Sequence, residues 1–372
     1  MSFRPAAAVG MPLAEVDTPC LILDLDAFER NLRLLPESLA GRNIQLRPHA
    51  KSHKCPEIAH RQLALGAVGV CCQKVSEAEA MVDGGIRDVL IANEVVGADK
   101  LRRLAALAKR ATIKVCADDA GNVHELDAAA RAAGVVLDVL VEVDVGAHRC
   151  GVAPGAPAAA LGAAIAACAN LRFAGLQAYQ GAAQHVRKVA ERREAIAGAV
   201  ADVRQTQALL RAAGIACDYV TGAGTGSYMF EATSSVYCEL QAGSYVFMDA
   251  DYARNEWVES GIPPFEHSLF VWATVMSATM PGRAVVDAGL KASSVDSGMP
   301  RVADYADIEY IKASDEHGVL QFNGATRLKV GDKLRLIPGH CDPTVNLYDW
   351  YVCVRNGYVE ALWPITARGA VL

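Results

Sequence analysis

Residues 137–179 alternate between apolar and alanine-rich runs, and this alternation decides the fold. The run LDVLVEV (137–143) is rich in β-branched residues, PAAALGAAIAACA (157–169) favours a helix, and LRFAGLQAY (171–179) is apolar again. An uninterrupted apolar strand is typical of a parallel sheet that is covered on both faces. The segment therefore predicts a strand–helix–strand unit of an α/β fold.

The same alternation extends in both directions, and most gaps between the apolar runs hold helical segments, several of which end at glycine. Eight such units over roughly 210 residues predict a (β/α)8 barrel rather than an open sheet. The gap before the last run, TGSYMFEATSSVYC (225–238), is polar and makes the eighth unit the weakest. The eight runs are IQLRP (44–48), AVGVCC (67–72), DVLIAN (88–93), TIKVCA (112–117), LDVLVEV (137–143), LRFAGLQAY (171–179), CDYVTGA (217–223) and ELQAGSYVFM (239–248).

After residue 262 the helical signals vanish, and strand-like runs joined by turns follow. The stretch RNGYV (355–359) contains the Asn-Gly pair of a tight hairpin. We therefore expect a barrel over 29–261 and an antiparallel β domain over 262–372. The early strand-like run PCLILDLDAF (19–28) precedes the barrel, and residues 1–28 are assigned to the β domain.

Charge, cysteine pattern and the length of the apolar stretches limit the classes of function that this protein can have. The formal net charge is −6 with no basic stripe, which argues against a nucleic-acid partner. The eleven cysteines are odd in number and have no C-x-x-C spacing, so they are interpreted as buried apolar residues in a reducing compartment. No stretch approaches the roughly 20 apolar residues of a membrane span. We expect a cytoplasmic protein that acts on a small molecule.

The stretch LRPHAKSHK (46–54) places Lys51 at the end of the first barrel strand. Functional residues of such barrels gather where strands end, and a partly desolvated lysine there can attack an aldehyde. Most lysines are merely solvated surface charges, so Lys51 alone does not establish a site.

A second candidate is the glycine-rich stretch VTGAGTGS (220–227), which follows the seventh strand. Its glycines leave backbone N–H groups open to a phosphate, and its threonine and serine add hydroxyl donors. The spacing fits neither a P-loop nor a Rossmann motif. The nearby LQAGSY (240–245), with Ser244 and Tyr245, could supply further contacts.

A nucleophilic lysine and a phosphate-binding turn together suggest pyridoxal 5′-phosphate, whose aldehyde would bind Lys51. Tyr179 and Arg149 lie at strand ends and could reach the ring nitrogen or the phenolic oxygen of this cofactor. Read alone, Tyr179 is equally well an ordinary core aromatic.

The third candidate is PGHCDPT (338–344), in which His340 and Asp342 are two residues apart. On an extended strand both side chains would share one face. An imidazole and a carboxylate suit Mg²⁺, Mn²⁺ or Zn²⁺, with Mg²⁺ or Mn²⁺ preferred unless Cys341 also binds. The alternative is a plain Asp-Pro turn beside a histidine.

The sequence resembles the D-threonine aldolase family of pyridoxal-phosphate enzymes over nearly its whole length. These enzymes have the alanine-racemase-like fold (fold type III), a barrel followed by a β domain, and the resemblance implies a homodimer. The motifs that carry the likeness are TPCLILDLDAFERN, RPHAKSHKCPEIA, GVCCQKVSEAEAMVDGGIRDVLIANEVV, VEVDVGAHRCGV, GLQAYQGA, GAGTGSYMFE, ELQAGSYVFMDADY, DAGLKASSVDSGMP, SDEHGV and PGHCDPTVNLYDWYVCVRNG.

The resemblance assigns roles to residues. It implies that Lys51 binds the aldehyde carbon of the cofactor and that Tyr179 approaches the pyridine nitrogen. The remaining cofactor contacts that it implies are Arg149, Gln177, Gly224, Thr225 and Gly226, and the implied metal ligands are His340 and Asp342. One departure is Ala223, where a third glycine is expected.

Within the family, KASSVDSGMP, IKASDEHG and GHCDPTVNLYDWYV are most similar to the 3-hydroxy-D-aspartate aldolases. The expected reaction is metal-dependent retro-aldol cleavage of 3-hydroxy-D-aspartate to glycine and glyoxylate. His185 is the candidate base for the β-hydroxyl, and Lys312 and Arg301 are candidates for binding the β-carboxylate.

Four alternatives remain open. A D-threonine aldolase would release acetaldehyde, and a D-serine or 3-hydroxyaspartate dehydratase would eliminate water. Dehydratases of this fold resemble His-x-Cys metal binders, so Asp342 favours the aldolases. A racemase would need a further acid–base group such as Tyr245 or Tyr305. A non-catalytic pyridoxal-phosphate carrier would lack the β domain.

Overall fold

The structure is a computed structural model that describes residues 4–257, 264–323 and 326–372. The chain divides into two compact units, which we call the barrel unit and the sheet unit. The predicted domain boundary between residues 261 and 262 lies outside the described residues. The barrel unit comprises Pro36–Lys51, Pro56–Gly243 and Ala370–Leu372, and the sheet unit comprises Met1–Leu35, Ser52–Cys55 and Ser244–Gly369.

In the described part of the chain the elements are as follows. The strands are β1 (Cys20–Asp24), β2 (Gln45–Leu46), β3 (Val70–Cys72), β4 (Asp88–Glu94), β5 (Thr112–Ala117), β6 (Leu137–Glu142), β7 (Leu171–Ala178), β8 (Val220–Gly222), β9 (Glu239–Leu240), β10 (Leu269–Met280), β11 (Arg283–Val286), β12 (Arg301–Val302), β13 (Ile308–Ala313), β14 (Gly318–Phe322), β15 (Lys333–Ile337), β16 (Trp350–Arg355) and β17 (Tyr358–Pro364). The α-helices are α1 (Leu25–Ser38), α2 (Pro56–Ala64), α3 (Val75–Asp83), α4 (Ala98–Leu107), α5 (Ala120–Ala133), α6 (Ala156–Ala166), α7 (Val189–Ala212), α8 (Tyr228–Ala232) and α9 (Cys341–Val345). Short 3-10 turns lie at Leu13–Glu15, Ala50–Ser52, Ala182–His185, Ser244–Val246 and Tyr252–Arg254.

The barrel unit contains one parallel sheet with the strand order β2-β9-β8-β7-β6-β5-β4-β3. Its two end strands also bond to each other, because the Cys71 N–H donates to the Pro48 carbonyl at 2.9 Å. The sheet is therefore closed, and the (β/α)8 barrel predicted from the sequence is confirmed. Fully buried apolar side chains pack together in it, among them Cys71, Leu90, Cys116 and Leu140.

The helices of the barrel begin and end where their sequences allow. Helix α5 shows both signals: the Asp119 carboxylate accepts the Asn122 N–H at 2.9 Å, and Gly134 ends the helix with φ of 68°. A side chain at position 134 would be strained in that left-handed conformation, which is why glycine stands there. These caps satisfy backbone groups that the helix ends would otherwise leave unpaired.

The eighth barrel unit differs from its prediction. The run 239–248 forms only the two-residue strand β9, and its remainder turns through the 3-10 segment Ser244–Val246. The polar gap before it contains the single-turn helix α8. Polar and glycine residues after Leu240 explain the early strand end, because they offer little apolar surface to bury.

The sheet unit is built on a largely antiparallel sheet with the path β13-β14-β11-β10-β1-β16-β17. Strand β15 joins it by pairing with β10 and β12. The Asn356–Gly357 pair forms the tight turn between β16 and β17, with both φ angles positive (50° and 80°), as a two-residue hairpin requires. The apolar core of the unit includes Ile22, Phe270, Trp272 and Val352.

The eleven cysteines are all free, and eight of them are buried. Burial raises the pKa of the Cys71 and Cys116 thiols well above the usual range, so these thiols are unreactive. They pack as small apolar residues, as the sequence predicts. None of the described helices is both long and apolar enough to span a membrane.

Candidate active site

Lys51 lies in the 3-10 turn that follows β2, at the carboxyl end of a barrel strand. Its backbone N–H donates to Nδ1 of His49 at 3.4 Å. The other ring nitrogen of His49 lies 2.7 Å from the Gln73 side-chain nitrogen, which also donates to the Ala92 carbonyl. These contacts fix the turn that carries the half-buried lysine at the face where barrel enzymes place their chemistry.

The glycine-rich turn after β8 is closely packed against neighbouring residues of the barrel unit. An added Cβ at Gly222 would lie 2.3 Å from the Ala178 carbonyl oxygen, and one at Gly224 would lie 2.4 Å from Oε1 of Gln184. Both positions therefore exclude side chains, which is why glycine stands there. Ala223 has φ of 71°, so the departure from three glycines costs backbone strain but adds only a methyl group.

The same turn contains a hydroxyl group that fits an anion. The Thr225 hydroxyl is buried and has no hydrogen-bond partner among the described residues. A buried hydroxyl without a partner is costly, so a phosphate oxygen at this position would satisfy it. The residues of the turn therefore fit the phosphate of pyridoxal 5′-phosphate. The Ser227 hydroxyl, expected to bind the phosphate, instead donates to Glu231 at 2.7 Å.

Arg149, one of the predicted cofactor contacts, forms an ion pair with the buried carboxyl group of Glu142. Its guanidinium lies 3.9 Å from Oε1 of Glu142, the last residue of β6, and 5.8 Å from the ring centre of Tyr179. Burial and, to a lesser extent, the carboxylate of Glu94 raise the pKa of Glu142 to about 8, although Arg149 opposes the shift. A guanidinium over an aromatic ring is a favourable cation–π arrangement.

Gln177 lies at the end of β7 and belongs to a buried amide pair. Its side chain exchanges hydrogen bonds with Gln241 at 3.2 and 2.7 Å, and Gln241 also donates to the Thr221 hydroxyl at 2.8 Å. Three neighbouring strand ends are thereby connected by side chains. The structure thus brings several predicted cofactor contacts to the carboxyl ends of the barrel strands: Lys51, Arg149, Gln177, Tyr179, Gly224, Thr225 and Gly226.

The predicted metal ligands lie in the sheet unit, but not on a strand. Strand β15 ends at Ile337, His340 directly precedes the short helix α9, and Asp342 lies in the first turn of that helix. The expectation that an extended strand aligns the two side chains is therefore wrong, because the chain turns into a helix at Cys341. Cys341 itself is fully buried.

Both side chains have the surroundings of metal ligands. Nδ1 of His340 lies 2.8 Å from Oδ2 of Asp296, and a carboxylate on one ring nitrogen orients the other toward a metal. Burial lowers the pKa of His340, but the charge of Asp342 and the contact with Asp296 outweigh it, so the pKa is raised overall. The donor set of one imidazole and one carboxylate fits a divalent cation with water in the other positions.

Two further residues support Asp342 and its helix. The Ser244 hydroxyl, predicted to contact the cofactor, donates to Oδ1 of Asp342 at 3.3 Å. Asp249 accepts the backbone N–H groups of Tyr252 and Cys341 at 2.9 and 3.1 Å and thereby fixes the start of α9. Burial raises the pKa of Asp249 to about 6, although these two hydrogen bonds oppose the shift.

The other four predicted site residues are one buried aromatic and three exposed polar side chains. His185 is exposed at the end of a 3-10 turn, one residue after Gln184, and Tyr245 is buried against the ring of Phe265 at 5.6 Å between centroids. Arg301 and Lys312 are exposed on β12 and β13.

Sequence reasoning missed several residues that support these groups. Gln184 packs against the phosphate-binding turn, Glu142 holds Arg149, and Asp296 and Asp249 support the metal ligands. Asp296 falls within the quoted motif KASSVDSGMP, and Gln184 directly precedes the predicted base His185, but neither residue was assigned a role. Their contacts connect positions far apart in the chain, which periodicity does not reveal.

Two family models match the chain. One, described as alanine racemase, N-terminal domain, matches residues 23–251, and another, described as putative serine dehydratase domain, matches residues 268–354. The chain therefore has the alanine-racemase-like fold of pyridoxal-phosphate enzymes.

Individual proteins narrow the family further. The chain is 51% identical to a 3-hydroxy-D-aspartate aldolase from Paracoccus denitrificans (strain Pd 1222) over 98% of this chain and 95% of that one. The crystal structure of D-threonine aldolase from Filomicrobium marinum matches with a TM-score of 0.97 and 56% identity over 100% of both chains. The chain thus belongs to the D-threonine aldolase family, and it is a pyridoxal-phosphate-dependent carbon–carbon lyase.

A more distant relative is a dehydratase. The D-threo-3-hydroxyaspartate dehydratase from Delftia sp. HT23 matches with a TM-score of 0.85 and 26% identity over 95% of this chain and 98% of that one. The fold thus also occurs in an enzyme named for the rival reaction.

Proposed function

We propose that the protein cleaves 3-hydroxy-D-aspartate to glycine and glyoxylate in a reaction that needs pyridoxal 5′-phosphate and a divalent metal. The observation that carries the proposal is the pair His340 and Asp342, with Asp296 behind the imidazole. Oxygen donors beside one histidine suit Mg²⁺ or Mn²⁺, which bind a hydroxyl oxygen well. Relatives named for 3-hydroxy-D-aspartate and for D-threonine support the substrate class.

Several of the predicted residues have a role in this proposal. Lys51 would bind the cofactor covalently, Thr225 would donate to its phosphate, and Tyr179 and Arg149 would contact its ring. When bound, pyridoxal phosphate would accept the electron pair of the broken Cα–Cβ bond, and the metal would lower the pKa of the β-hydroxyl. His340 and Asp342 would hold that metal.

The protons and electrons balance in the proposed cleavage. His185 takes the proton of the β-hydroxyl, the Cα–Cβ bond breaks, and the β-carbon becomes the aldehyde carbon of glyoxylate. Cα then takes up one proton, which balances the proton that His185 removed, and is released as part of glycine.

We also propose that the enzyme acts as a homodimer in the cytoplasm. Sedimentation of the purified enzyme would test the dimer, and a monomer with full activity would contradict it.

Arg301 is the first candidate for the β-carboxylate that distinguishes 3-hydroxyaspartate from D-threonine. It lies on β12 opposite Ile337, three residues before His340, and it has no ion-pair partner among the described residues. Lys312, on β13, is the second candidate.

The substrate preference can be tested with two variants. We expect Arg301→Ala to lower kcat/KM for 3-hydroxy-D-aspartate by about tenfold or more, the effect of one lost charge-assisted hydrogen bond, and to leave D-threonine cleavage unchanged. Lys312→Ala provides the parallel test. If both variants retain the preference of the unmodified enzyme, neither side chain binds the β-carboxylate. If the unmodified enzyme prefers D-threonine, the second candidate function, D-threonine aldolase, replaces the first.

A further inference from the structure

A chain of hydrogen bonds lies directly behind the phosphate-binding turn. The Ser227 hydroxyl donates to Oε1 of Glu231 at 2.7 Å. The Ser227 oxygen in turn accepts the side-chain amide of Gln184 at 2.7 Å and the Gly224 N–H at 3.4 Å. Oε1 of Gln184 accepts the Gly226 N–H at 2.9 Å. We call Glu231, Ser227 and Gln184 the relay.

The direction of the relay is set at its Glu231 end. Burial raises the pKa of Glu231 to about 7, and Oε1 accepts from Ser227 both when the carboxyl is ionised and when its proton lies on Oε2. A serine hydroxyl has one hydrogen, and once this is used the oxygen can only accept from Gln184. The Gln184 side-chain nitrogen donates to Ser227 and to the Gln180 carbonyl (3.3 Å), which leaves its oxygen to accept from Gly226.

The relay is desolvated throughout. Glu231, Ser227 and Gln184 are each only 1% exposed. Breaking any one link therefore leaves a buried polar group without water to replace its partner. The relay also touches the turn, since an added Cβ at Gly224 would lie 2.4 Å from Oε1 of Gln184.

We propose that Glu231 is a positioning residue for the cofactor phosphate, which acts through Ser227 and Gln184 to fix the backbone of residues 224–226. The relay holds two N–H groups of the turn and keeps the Ser227 hydroxyl turned away from the ligand. The Thr225 hydroxyl, which has no partner among the described residues, is left as the side-chain donor to the phosphate. This inference rests on the proposed placement of the phosphate at residues 224–226.

The proposal is tested by comparing two ligands that differ only in the phosphate. Dissociation constants of the apo-protein are measured for pyridoxal 5′-phosphate and for pyridoxal by absorbance titration. We expect Glu231→Leu to weaken binding of the phosphorylated ligand about tenfold, as one lost buried hydrogen bond implies, and to leave pyridoxal binding unchanged. Glu231→Gln keeps an acceptor oxygen and should restore binding to within about threefold.

Further variants keep the test decisive. Ser227→Ala removes the middle of the relay and should have the same selective effect, so it serves if Glu231→Leu does not fold. The double variant Glu231→Leu/Ser227→Ala should lose no more affinity for pyridoxal 5′-phosphate than either single variant, since the three side chains act as one unit. Asp138→Asn, at the opposite ends of the barrel strands, is the control and should change neither constant.

Two results would overturn the proposal. Equal weakening of both ligands in Glu231→Leu and Ser227→Ala would show that the relay only maintains the fold. Equal binding of the two ligands by the unmodified apo-protein would contradict the phosphate placement itself, and the relay assignment with it.

Discussion

Nδ1 of His340 lies 2.8 Å from Oδ2 of Asp296, two residues that are 44 positions apart in the chain. The carboxylate holds the imidazole in one orientation and makes it a better metal ligand. Asp342 completes the donor pair from the first turn of α9. The contact between His340 and Asp296 supports the predicted metal site, which the spacing of His340 and Asp342 in the sequence alone does not establish.

We expect Asp296→Asn to weaken binding of Mn²⁺ by about 10- to 100-fold, the usual effect of removing a carboxylate that supports a histidine ligand. Titration of the metal-free enzyme by calorimetry measures this directly. Asp304→Asn, which removes an exposed carboxylate paired with Arg335 in the same unit, is the control and should bind Mn²⁺ normally. Unchanged Mn²⁺ affinity in Asp296→Asn would contradict the site.

Lys51→Ala should abolish the visible absorbance that a lysine–pyridoxal bond gives, and it should lower aldolase activity by about 1,000-fold or more, because no amine nucleophile is left at the strand end. Spectra of the purified variant with added cofactor measure the first effect. Lys74→Ala, a change at an exposed lysine before α3, should retain both properties. A Lys51→Ala protein that keeps the absorbance would assign the cofactor to another lysine.

Gly224→Ala should weaken binding of pyridoxal 5′-phosphate by about tenfold or more, because the new methyl group would lie 2.4 Å from Oε1 of Gln184 and displace the turn. Gly198→Ala is the matched control, since nothing lies within 4 Å of an added Cβ there. Equilibrium titration of both apo-proteins makes the comparison. Normal affinity in Gly224→Ala would show that the turn does not hold the phosphate.

Glu142 predicts a pH dependence of stability in the apo-protein. Burial raises the pKa of its carboxyl from 4.5 to about 8, so between these values the folded chain holds a proton that the unfolded chain has released. Stability should therefore fall as pH rises through this range, by about 1.4 kcal/mol per pH unit at most. Below pH 4.5 the titration of Glu142 does not change the free energy of unfolding with pH. Above pH 8 the full loss of stability from this group is present.

Glu142→Gln removes the titrating group. We expect the apo-form of this variant to lose less stability than the unmodified apo-protein between pH 5 and pH 8.5, measured by urea unfolding. Glu37→Gln, at an exposed position of α1, should follow the unmodified profile. Identical pH profiles for the Glu142→Gln and unmodified proteins would contradict the raised pKa.

Much of this architecture follows from the sequence. The apolar runs of the barrel strands and the Asn356–Gly357 turn predict their elements, because strand periodicity and turn chemistry are local properties. The strand ends then indicate where Lys51 and the glycine-rich turn lie. The predicted length of the eighth strand is too great, because the buried apolar residues after Gly243 lie in a turn and not in a strand.

The parts that the sequence did not predict are a short helix and several side-chain contacts, both local and long-range in the chain. Helix α9 directly follows His340 and contains Pro343 in its first turn, so its short sequence resembles a turn. The contacts of His340 with Asp296, of Arg149 with Glu142 and of Ser227 with Glu231 are set by tertiary packing or by a single short turn. Such contacts leave no periodic pattern.

Product analysis tests the central proposal most directly. Purified enzyme with pyridoxal 5′-phosphate is given 3-hydroxy-D-aspartate with Mn²⁺, with Mg²⁺ and with a chelator, and the products are quantified. We predict equal amounts of glycine and glyoxylate with metal and their loss with the chelator. Oxaloacetate and ammonia in place of glycine and glyoxylate would contradict the account and would establish the dehydratase reaction.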